Sequence, residues 1–192
     1  MIAQRYTRVA VALHWLIAVL IVSNLALGFT AVWTEGTVHR LTLDLHKPIG
    51  IAILTLSIVR IGWRIAHRPP PPVPSAAWQR GLATATHAAF YFLIIAIPLT
   101  GWWMSSAVPE RHPIDLGLFT VPFLPTRRGF DVAGPLHATH GWLAYVMLGL
   151  LALHVLAAMK HQYRDRDGLI SRMTFGSSDQ PRPYQGEDNV RS

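Results

Sequence analysis

Apolar residues dominate four long stretches of the chain, and polar residues are gathered between them. The stretches run from Val9 to Trp33, His46 to Ile65, Leu82 to Met104, and Leu136 to Met159. Each supplies about the 20 mainly apolar residues that a helix needs to cross a hydrocarbon layer of ~30 Å. Backbone groups in lipid must be hydrogen-bonded within the segment itself, which favours helices over strands. The pattern predicts an all-α fold, an integral membrane four-helix bundle.

The composition agrees with a membrane protein. Hydrophobic residues make up 51% of the chain and charged residues only 14%, whereas a soluble domain usually carries about 25% charged residues. The first stretch follows Arg5 and Arg8, as a signal peptide would. It is longer than the usual run of about 7–15 apolar residues and lacks a convincing cleavage site, so we expect it to be retained as an anchor.

The domain organisation is simple. Residues 1–174 are predicted to form one four-helix transmembrane domain, and residues 175–192 a polar, disordered cytoplasmic tail. No internal repeat is evident. The long loop from Ser105 to Pro135 carries an apolar piece, residues 114–124, that either lies on the membrane surface or caps the bundle.

The distribution of basic residues predicts the orientation. With four spans, both termini and the connection between the second and third spans lie on one side of the membrane. The segments on that side contain twelve of the 17 Lys and Arg residues. The segments on the other side contain Arg40, Lys47, Arg111, Arg127 and Arg128. The positive-inside rule therefore places both termini in the cytoplasm. The net charge of +7 is then a topology signal, and no nucleic-acid partner is predicted.

Four histidines lie within or at the ends of the apolar stretches, at two depths. His14 and His154 fall near the predicted cytoplasmic face, and His46 and His140 near the outer face. The interval between His140 and His154 corresponds to about 21 Å of helix. It also returns to within about 40° of the same helix face. Depth alone therefore pairs His14 with His154, and His46 with His140.

Paired imidazoles in a membrane point to haem. Ionisable residues are costly there and usually mark a function. Two neutral imidazoles on one iron leave no open coordination position, which suits electron transfer. Because the chain has no Cys, thiolate ligation, iron–sulfur clusters and covalent haem attachment are excluded. We therefore expect two non-covalent b-type haems, one for each pair.

Other interpretations of these histidines remain open. Each could be a packing residue or a member of a proton relay. Zinc is a further alternative, although it would require its ligands to converge at one depth. His137 competes with His140, being one turn earlier, but it lies about 100° away from the face of His154.

An ordered set of short motifs accompanies the histidines. It comprises Arg5-Tyr6, His14-Trp15, His46-Lys47-Pro48-Ile49-Gly50, Arg60, Trp63-Arg64, His87, Pro98-Leu99-Thr100-Gly101, His140-Gly141, His154, His161 and Asp165 to Gly168. In this order the motifs resemble the bacterial cytochrome b561 family. The similarity is greatest to its short four-helix members that act as superoxide:ubiquinone oxidoreductases of the inner membrane.

The resemblance implies roles for particular residues. The four histidines would ligate two b haems with the pairing that depth suggests. Residues Ala77, Trp78, Gln79, Arg80, Gly81 and His161 would bind ubiquinone as substrate, with His87 a further candidate. The alternatives are a surface histidine for His161 and a packing role for His87. Tryptophans such as Trp78 are also enriched at membrane interfaces without any ligand.

The resemblance also suggests the electron donor. Superoxide is an anion, and Lys47, Arg127 and Arg128 are predicted to steer it electrostatically to the outer haem. They are equally consistent with ordinary solvated loop residues. The expected function is that of a superoxide oxidase in the lipid bilayer. The alternatives are a cytochrome b electron-carrier subunit for a dehydrogenase, hydrogenase or other redox protein partner, and a haem-free membrane scaffold.

Overall fold

Four long helices make up most of the molecule. The computed structural model describes residues 5–71 and 76–175. The helices are α1 (Arg8–Val32), α2 (Gly36–Ala66), α3 (Ala77–Ala107) and α4 (Phe130–Lys160). All four are long and apolar enough to cross a membrane. The predicted all-α membrane bundle is therefore confirmed.

Three short elements complete the described chain. A two-stranded antiparallel hairpin, β1 (Ile114–Asp115) and β2 (Thr120–Val121), lies between α3 and α4. A π-helical turn (His161–Asp165) and a 3-10 turn (Ile170–Met173) follow α4. We call the end of the bundle that holds the β-hairpin the hairpin side, and the end where α1 begins and α4 finishes the termini side.

Helix α2 begins earlier than predicted. The hydropathy pattern placed its start at His46, but the helix starts at Gly36. Its first turns contain polar residues such as Arg40 and Asp44, which lower hydropathy without disturbing the backbone hydrogen bonds of a helix. The Nδ1 atom of His39 lies 2.9 Å from the carbonyl oxygen of Ala31 and ties these turns to α1. His46 therefore lies well inside the helix.

The buried core is thin and lies between the two histidine depths. Leu93 and Ile94 of α3 pack with Met147 of α4, and Ile21 and Leu25 of α1 contact this cluster. Large apolar side chains on the outside of the bundle stay exposed, as lipid-facing residues of a membrane protein do. This core therefore joins the helical hairpin α1–α2 to the helical hairpin α3–α4 midway along the bundle. The polar groups lie toward its two ends.

The loop between α3 and α4 caps the hairpin side. Ile114 and Val121 of the β-hairpin are buried. The indole N–H of Trp102 donates to the carbonyl oxygen of Pro122 at 2.9 Å, which fastens the loop to α3. Leu118 at the hairpin tip is 96% exposed. Of the two arrangements that the sequence left open, the base of this loop adopts the capping one.

The chain that follows α4 folds back onto the termini side. The indole N–H of Trp15 donates to the carbonyl oxygen of Met173 at 2.7 Å. The guanidinium of Arg172 donates to the carbonyl oxygen of Pro71 at 2.8 Å. This segment is therefore joined both to α1 and to the connection after α2. The predicted tail lies outside the described residues from residue 176 onward.

Candidate haem-binding and quinone-binding sites

The structure brings His46 and His140 together on the hairpin side. Their ring centroids are 6.0 Å apart, with the ring planes at 82°. The Nδ1 atom of His46 lies 3.0 Å from the carbonyl oxygen of Asn24, and that of His140 lies 3.0 Å from the carbonyl oxygen of Ile97. A carbonyl only accepts, so each Nδ1 carries the ring proton and each Nε2 keeps a free lone pair. This is the tautomer that metal-ligating histidines adopt.

Two glycines hold the same rings in place. A Cβ atom added at Gly28 would lie 3.0 Å from Cε1 of His46, and one added at Gly101 would lie 3.0 Å from Cε1 of His140. A methyl group at either position would require the ring to shift by a few tenths of an ångström, so each ring rests closely against bare helix backbone. This cradle and the fixed tautomer fit a pair of axial haem ligands.

The two helical hairpins, α1–α2 and α3–α4, show an internal repeat of functional positions. The equivalent positions are His14 with His87, Asn24 with Ile97, Gly28 with Gly101, His46 with His140, and Arg60 with His154. Within each pair of matching helices, the intervals between these positions are identical. The expectation of no internal repeat is therefore wrong for these positions, because the match rests on a few equally spaced residues rather than on similarity along the whole hairpins.

The termini side gathers a second group of nitrogen-bearing side chains. The ring of His154 lies 6.5 Å from that of His87, with the planes at 78°. It also makes an edge contact with Phe90 at 5.2 Å. His14 lies within electrostatic range of both His154 and His87. Three imidazoles therefore lie at the depth where the sequence pairs His14 with His154.

Arg60 distinguishes this group from the pair on the hairpin side. Its Nη1 atom lies 3.0 Å from Nδ1 of His14. A guanidinium only donates, so Nδ1 of His14 is the acceptor and its ring proton is on Nε2. Binding a metal through Nε2 requires this proton to move to Nδ1, which breaks the bond to Arg60. A haem propionate offers the guanidinium a new acceptor, so the residues fit haem after one exchange of hydrogen bonds.

The predicted quinone residues occupy the termini side. Residues 77–81 form the first turn of α3, where the side chain of Gln79 accepts from the backbone N–H of Ala76 at 3.0 Å. Trp78 is 69% exposed. His161 begins the π-helical turn after α4, and its Nδ1 atom lies 2.6 Å from Oδ2 of Asp167. π-Helical turns inside or at the end of α-helices often occur at functional sites.

The predicted steering residues differ in their surroundings. Lys47 follows His46 directly on α2 and is partly buried. Arg128 is exposed, whereas Arg127 forms an ion pair with Asp131. Acidic residues on the hairpin side offset the five basic ones; they are Glu35, Asp44, Glu110, Asp115 and Asp131. Any attraction of an anion must therefore come from local clustering of charge rather than from net charge.

An imidazole pair in the ligating tautomer, with a second group of imidazoles at another depth of the same membrane-spanning helices, is typical of membrane-bound b-type cytochromes. A sequence model of the prokaryotic cytochrome b561 family matches residues 5–176. The chain belongs to this family. The predicted resemblance is thus confirmed, and so is its location as a multi-pass protein of the bacterial inner membrane.

Curated relatives agree with this assignment. Cytochrome b561 homolog 2 of Escherichia coli (strain K12) is 36% identical over 182 residues, which cover 91% of this chain and 94% of the relative. A protein of Yersinia pestis named probable superoxide oxidase CybB is 30% identical over 175 residues, covering 88% and 96%. Cytochrome b562 of Cereibacter sphaeroides is 27% identical over 179 residues, covering 88% and 94%. Family membership implies b-type haem and electron transfer.

Proposed function

We propose that this protein oxidises superoxide at the outer face of the inner membrane and reduces ubiquinone at the cytoplasmic face. The observation that carries the proposal is the presence of two groups of imidazoles at two depths, both served by α4 through His140 and His154. The name of the Yersinia pestis relative supports the choice of superoxide as donor. When bound, two b haems supply one-electron transfer between the two faces.

The four histidines would hold these haems, and the two pairs differ in how far their rings are already oriented for ligation. His46 and His140 present their Nε2 lone pairs in fixed orientations, because the carbonyls of Asn24 and Ile97 accept their Nδ1 protons. His14 and His154 would hold the second haem, and the guanidinium of Arg60, which contacts His14, would be available to balance the charge of a haem carboxylate. Ligation by two imidazoles leaves no site where superoxide or oxygen could bind iron.

The basic residues orient the protein in the membrane. The termini side carries twelve Lys and Arg residues and the hairpin side five. By the positive-inside rule, the termini side faces the cytoplasm and the hairpin side faces the periplasm. His46 and His140 then lie toward the superoxide source, and the turn that contains His161 lies toward cytoplasmic water.

The balanced reaction consumes two superoxide anions, one ubiquinone and two protons, and it yields two molecules of oxygen and one ubiquinol. Each superoxide gives up one electron at the hairpin side. The quinone receives two electrons in sequence and takes up both protons on the termini side, where His161 and Asp167 meet water. No peroxide is formed, which distinguishes the reaction from dismutation.

The isolated protein should therefore consume superoxide with ubiquinone as the only acceptor. An enzymatic superoxide source, an oxygen electrode and quinol absorbance give the stoichiometry. We expect about two superoxide anions consumed for each quinol, from the electron balance, and no stoichiometric peroxide. If quinol forms only when a reduced donor protein is added, superoxide is not the donor.

An electron-carrier subunit is the second candidate function. The observation that favours it is the exposed tip of the β-hairpin, where Leu118 is 96% and Phe119 63% exposed. Apolar side chains at the rim of a redox protein suit docking of a partner protein. Leu118→Ser together with Phe119→Ser would slow reduction by such a partner and would leave the superoxide reaction unchanged.

Replacing His161 should impair quinone reduction without removing haem. We expect His161→Ala to lower the maximum rate of quinone reduction about 100-fold or more, since a positioned proton donor contributes about 10²–10⁴-fold. Both haem spectra should remain, because His161 lies two helical turns beyond His154. A wild-type rate at subsaturating quinone would make His161 a surface residue.

Electrostatic steering of superoxide by Arg127 can be tested with two variants, of which the second restores the local charge of the wild type. Arg127→Gln leaves the carboxylate of Asp131 unpaired, so the rate with superoxide should fall, by up to about tenfold at low salt. Adding Asp131→Asn returns the local charge to that of the wild type and should restore the rate. Neither change should matter at high salt, where the field is screened. Equal rates for all three proteins at low salt would refute steering at this position.

A further inference from the structure

His161 forms a hydrogen-bonded dyad with Asp167 at the cytoplasmic end of α4. Its Nδ1 atom lies 2.6 Å from Oδ2 of Asp167. The other carboxylate oxygen of Asp167 accepts the backbone N–H of Leu169 at 3.0 Å. Both oxygens of Asp167 are therefore engaged, and the carboxylate is fixed relative to the imidazole.

The backbone around Asp167 is bent so that its carboxylate returns to the helix end. Arg166 has φ of 50° and Gly168 has φ of 72°. Arg166 is the one residue other than glycine with positive φ in the described chain, residues 5–71 and 76–175. A left-handed conformation costs free energy for a residue with a Cβ. That cost is consistent with a turn whose purpose is to place Asp167.

The rest of the segment is fastened to the bundle. The carbonyl of Met173 accepts the indole N–H of Trp15, and the carbonyl of Arg172 accepts the backbone N–H of Tyr6 at 3.4 Å. The side chains of His161 and Asp167 are 30% and 21% exposed. The dyad is thus half-buried in an anchored segment and still reaches water, as a group that exchanges protons requires.

We propose that Asp167 is a positioning residue that holds His161 as the proton donor for the reduced quinone. This inference rests on the proposed quinone reduction. With Nδ1–H donated to Asp167, the imidazolium form of His161 is balanced by the carboxylate, and its Nε2–H is the end available to a substrate. The N–H bond at Nε2 breaks as an O–H bond forms on the reduced quinone oxygen. His161 then takes a proton from cytoplasmic water and regains its charge.

A divalent cation is the competing occupant of these side chains. One ligand atom each from His161, Asp165 and Asp167 lies within 4.8 Å of the others. However, Oδ2 of Asp165 is only 2.5 Å from Nζ of Lys160, whose charge would repel a cation. Both oxygens of Asp167 are also already used as acceptors. These contacts favour the hydrogen-bonded dyad.

The test uses the haem-loaded, full-length protein reduced chemically and then mixed with ubiquinone in a stopped-flow instrument, so that superoxide plays no part. In Asp167→Asn we expect the maximum rate of haem reoxidation to fall about tenfold or more. The quinone concentration that gives half the maximum rate should change little. The solvent deuterium isotope effect on the maximum rate should rise, because proton delivery becomes slower. Asp167→Glu should recover much of the rate.

Asp165→Asn is the matched control, since it removes the same charge from a neighbouring carboxylate. Oδ2 of Asp165 lies 3.3 Å from Nδ1 of His161, farther than that of Asp167. We expect it to keep the wild-type rate and isotope effect.

Equal effects of the two variants, or an unchanged rate in Asp167→Asn, would overturn the dyad. Loss of the wild-type rate on adding a chelator, with recovery on adding a divalent cation, would replace it with a metal site. Failure of wild-type haem to be reoxidised by ubiquinone would instead refute the proposed quinone reduction itself.

Discussion

Alanine at His46 or His140 is expected to leave a protein that retains only one of its two haems. Either change removes one of the two imidazoles that the structure brings together on the hairpin side, and the remaining imidazole alone would hold b-type haem poorly. Alanine at His14 or His154 should remove the other haem preferentially. The haem-to-protein ratio and the reduced-minus-oxidised spectrum of each purified variant report the outcome.

The activities of these variants should separate the two halves of the reaction. Variants at His46 or His140 should lose reduction by superoxide, because the proposed entry of electrons is on the hairpin side. Variants at His14 or His154 should still be reduced by superoxide but should no longer pass electrons to ubiquinone. His137→Ala is the control: His137 is exposed and one turn from His140, so both haems should remain. One haem per wild-type chain, or equal loss in all four variants, would contradict the pairing.

His87 is the alternative to His14 as the haem ligand opposite His154 on the termini side. It occupies the position in α3 that His14 occupies in α1, and its ring lies 6.5 Å from that of His154. We expect His87→Ala to retain the haem on this side. The reverse result, with this haem lost in His87→Ala and kept in His14→Ala, would show that α3 rather than α1 supplies the ligand opposite His154.

The helices and the depths of the histidines could be predicted because both depend on regular periods. Four apolar stretches of membrane-spanning length are visible directly in the sequence. The position of each histidine within its stretch then gives its depth at about 1.5 Å per residue. The start of α2 was placed too late because polar residues such as Arg40 and Asp44 end an apolar stretch without ending a helix. Hydropathy measures the environment of a segment, not its hydrogen bonding.

The surroundings of the histidines could not be predicted, since they depend on contacts between distant helices. The carbonyls of Asn24 and Ile97 act without their side chains, so no residue type announces them. The contact between Arg60 and His14 crosses from α2 to α1, and no pattern within either apolar stretch indicates it. The bond from His161 to Asp167 depends on the backbone conformation of Arg166. Ligation by the four histidines remains a prediction that the haem-content measurements above will decide.

Bulky residues at Gly28 and Gly101 should both abolish haem binding on the hairpin side, although the two glycines lie on different helices. Even a methyl group at either position would lie 3.0 Å from the Cε1 atom of His46 or His140. Alanine requires the ring to move by a few tenths of an ångström, so we expect weakened haem retention. Leucine cannot be accommodated without turning the ring away. We therefore expect Gly28→Leu and Gly101→Leu to lose this haem.

The second haem provides the internal control for folding. Glycine is about 0.8–1 kcal/mol less favourable than alanine in a helix, whereas leucine ranks close to alanine, so neither substitution weakens the helix itself. The haem held on the termini side should remain at its wild-type ratio to protein in both variants. Gly149→Leu in α4 is the matched substitution, because a Cβ at Gly149 meets no atom within 4 Å. It should keep both haems. If Gly28→Leu and Gly101→Leu both retain two haems, the rings of His46 and His140 are not held by these glycines. If these variants instead lose mainly the haem of the termini side, His46 and His140 do not ligate the haem on the hairpin side.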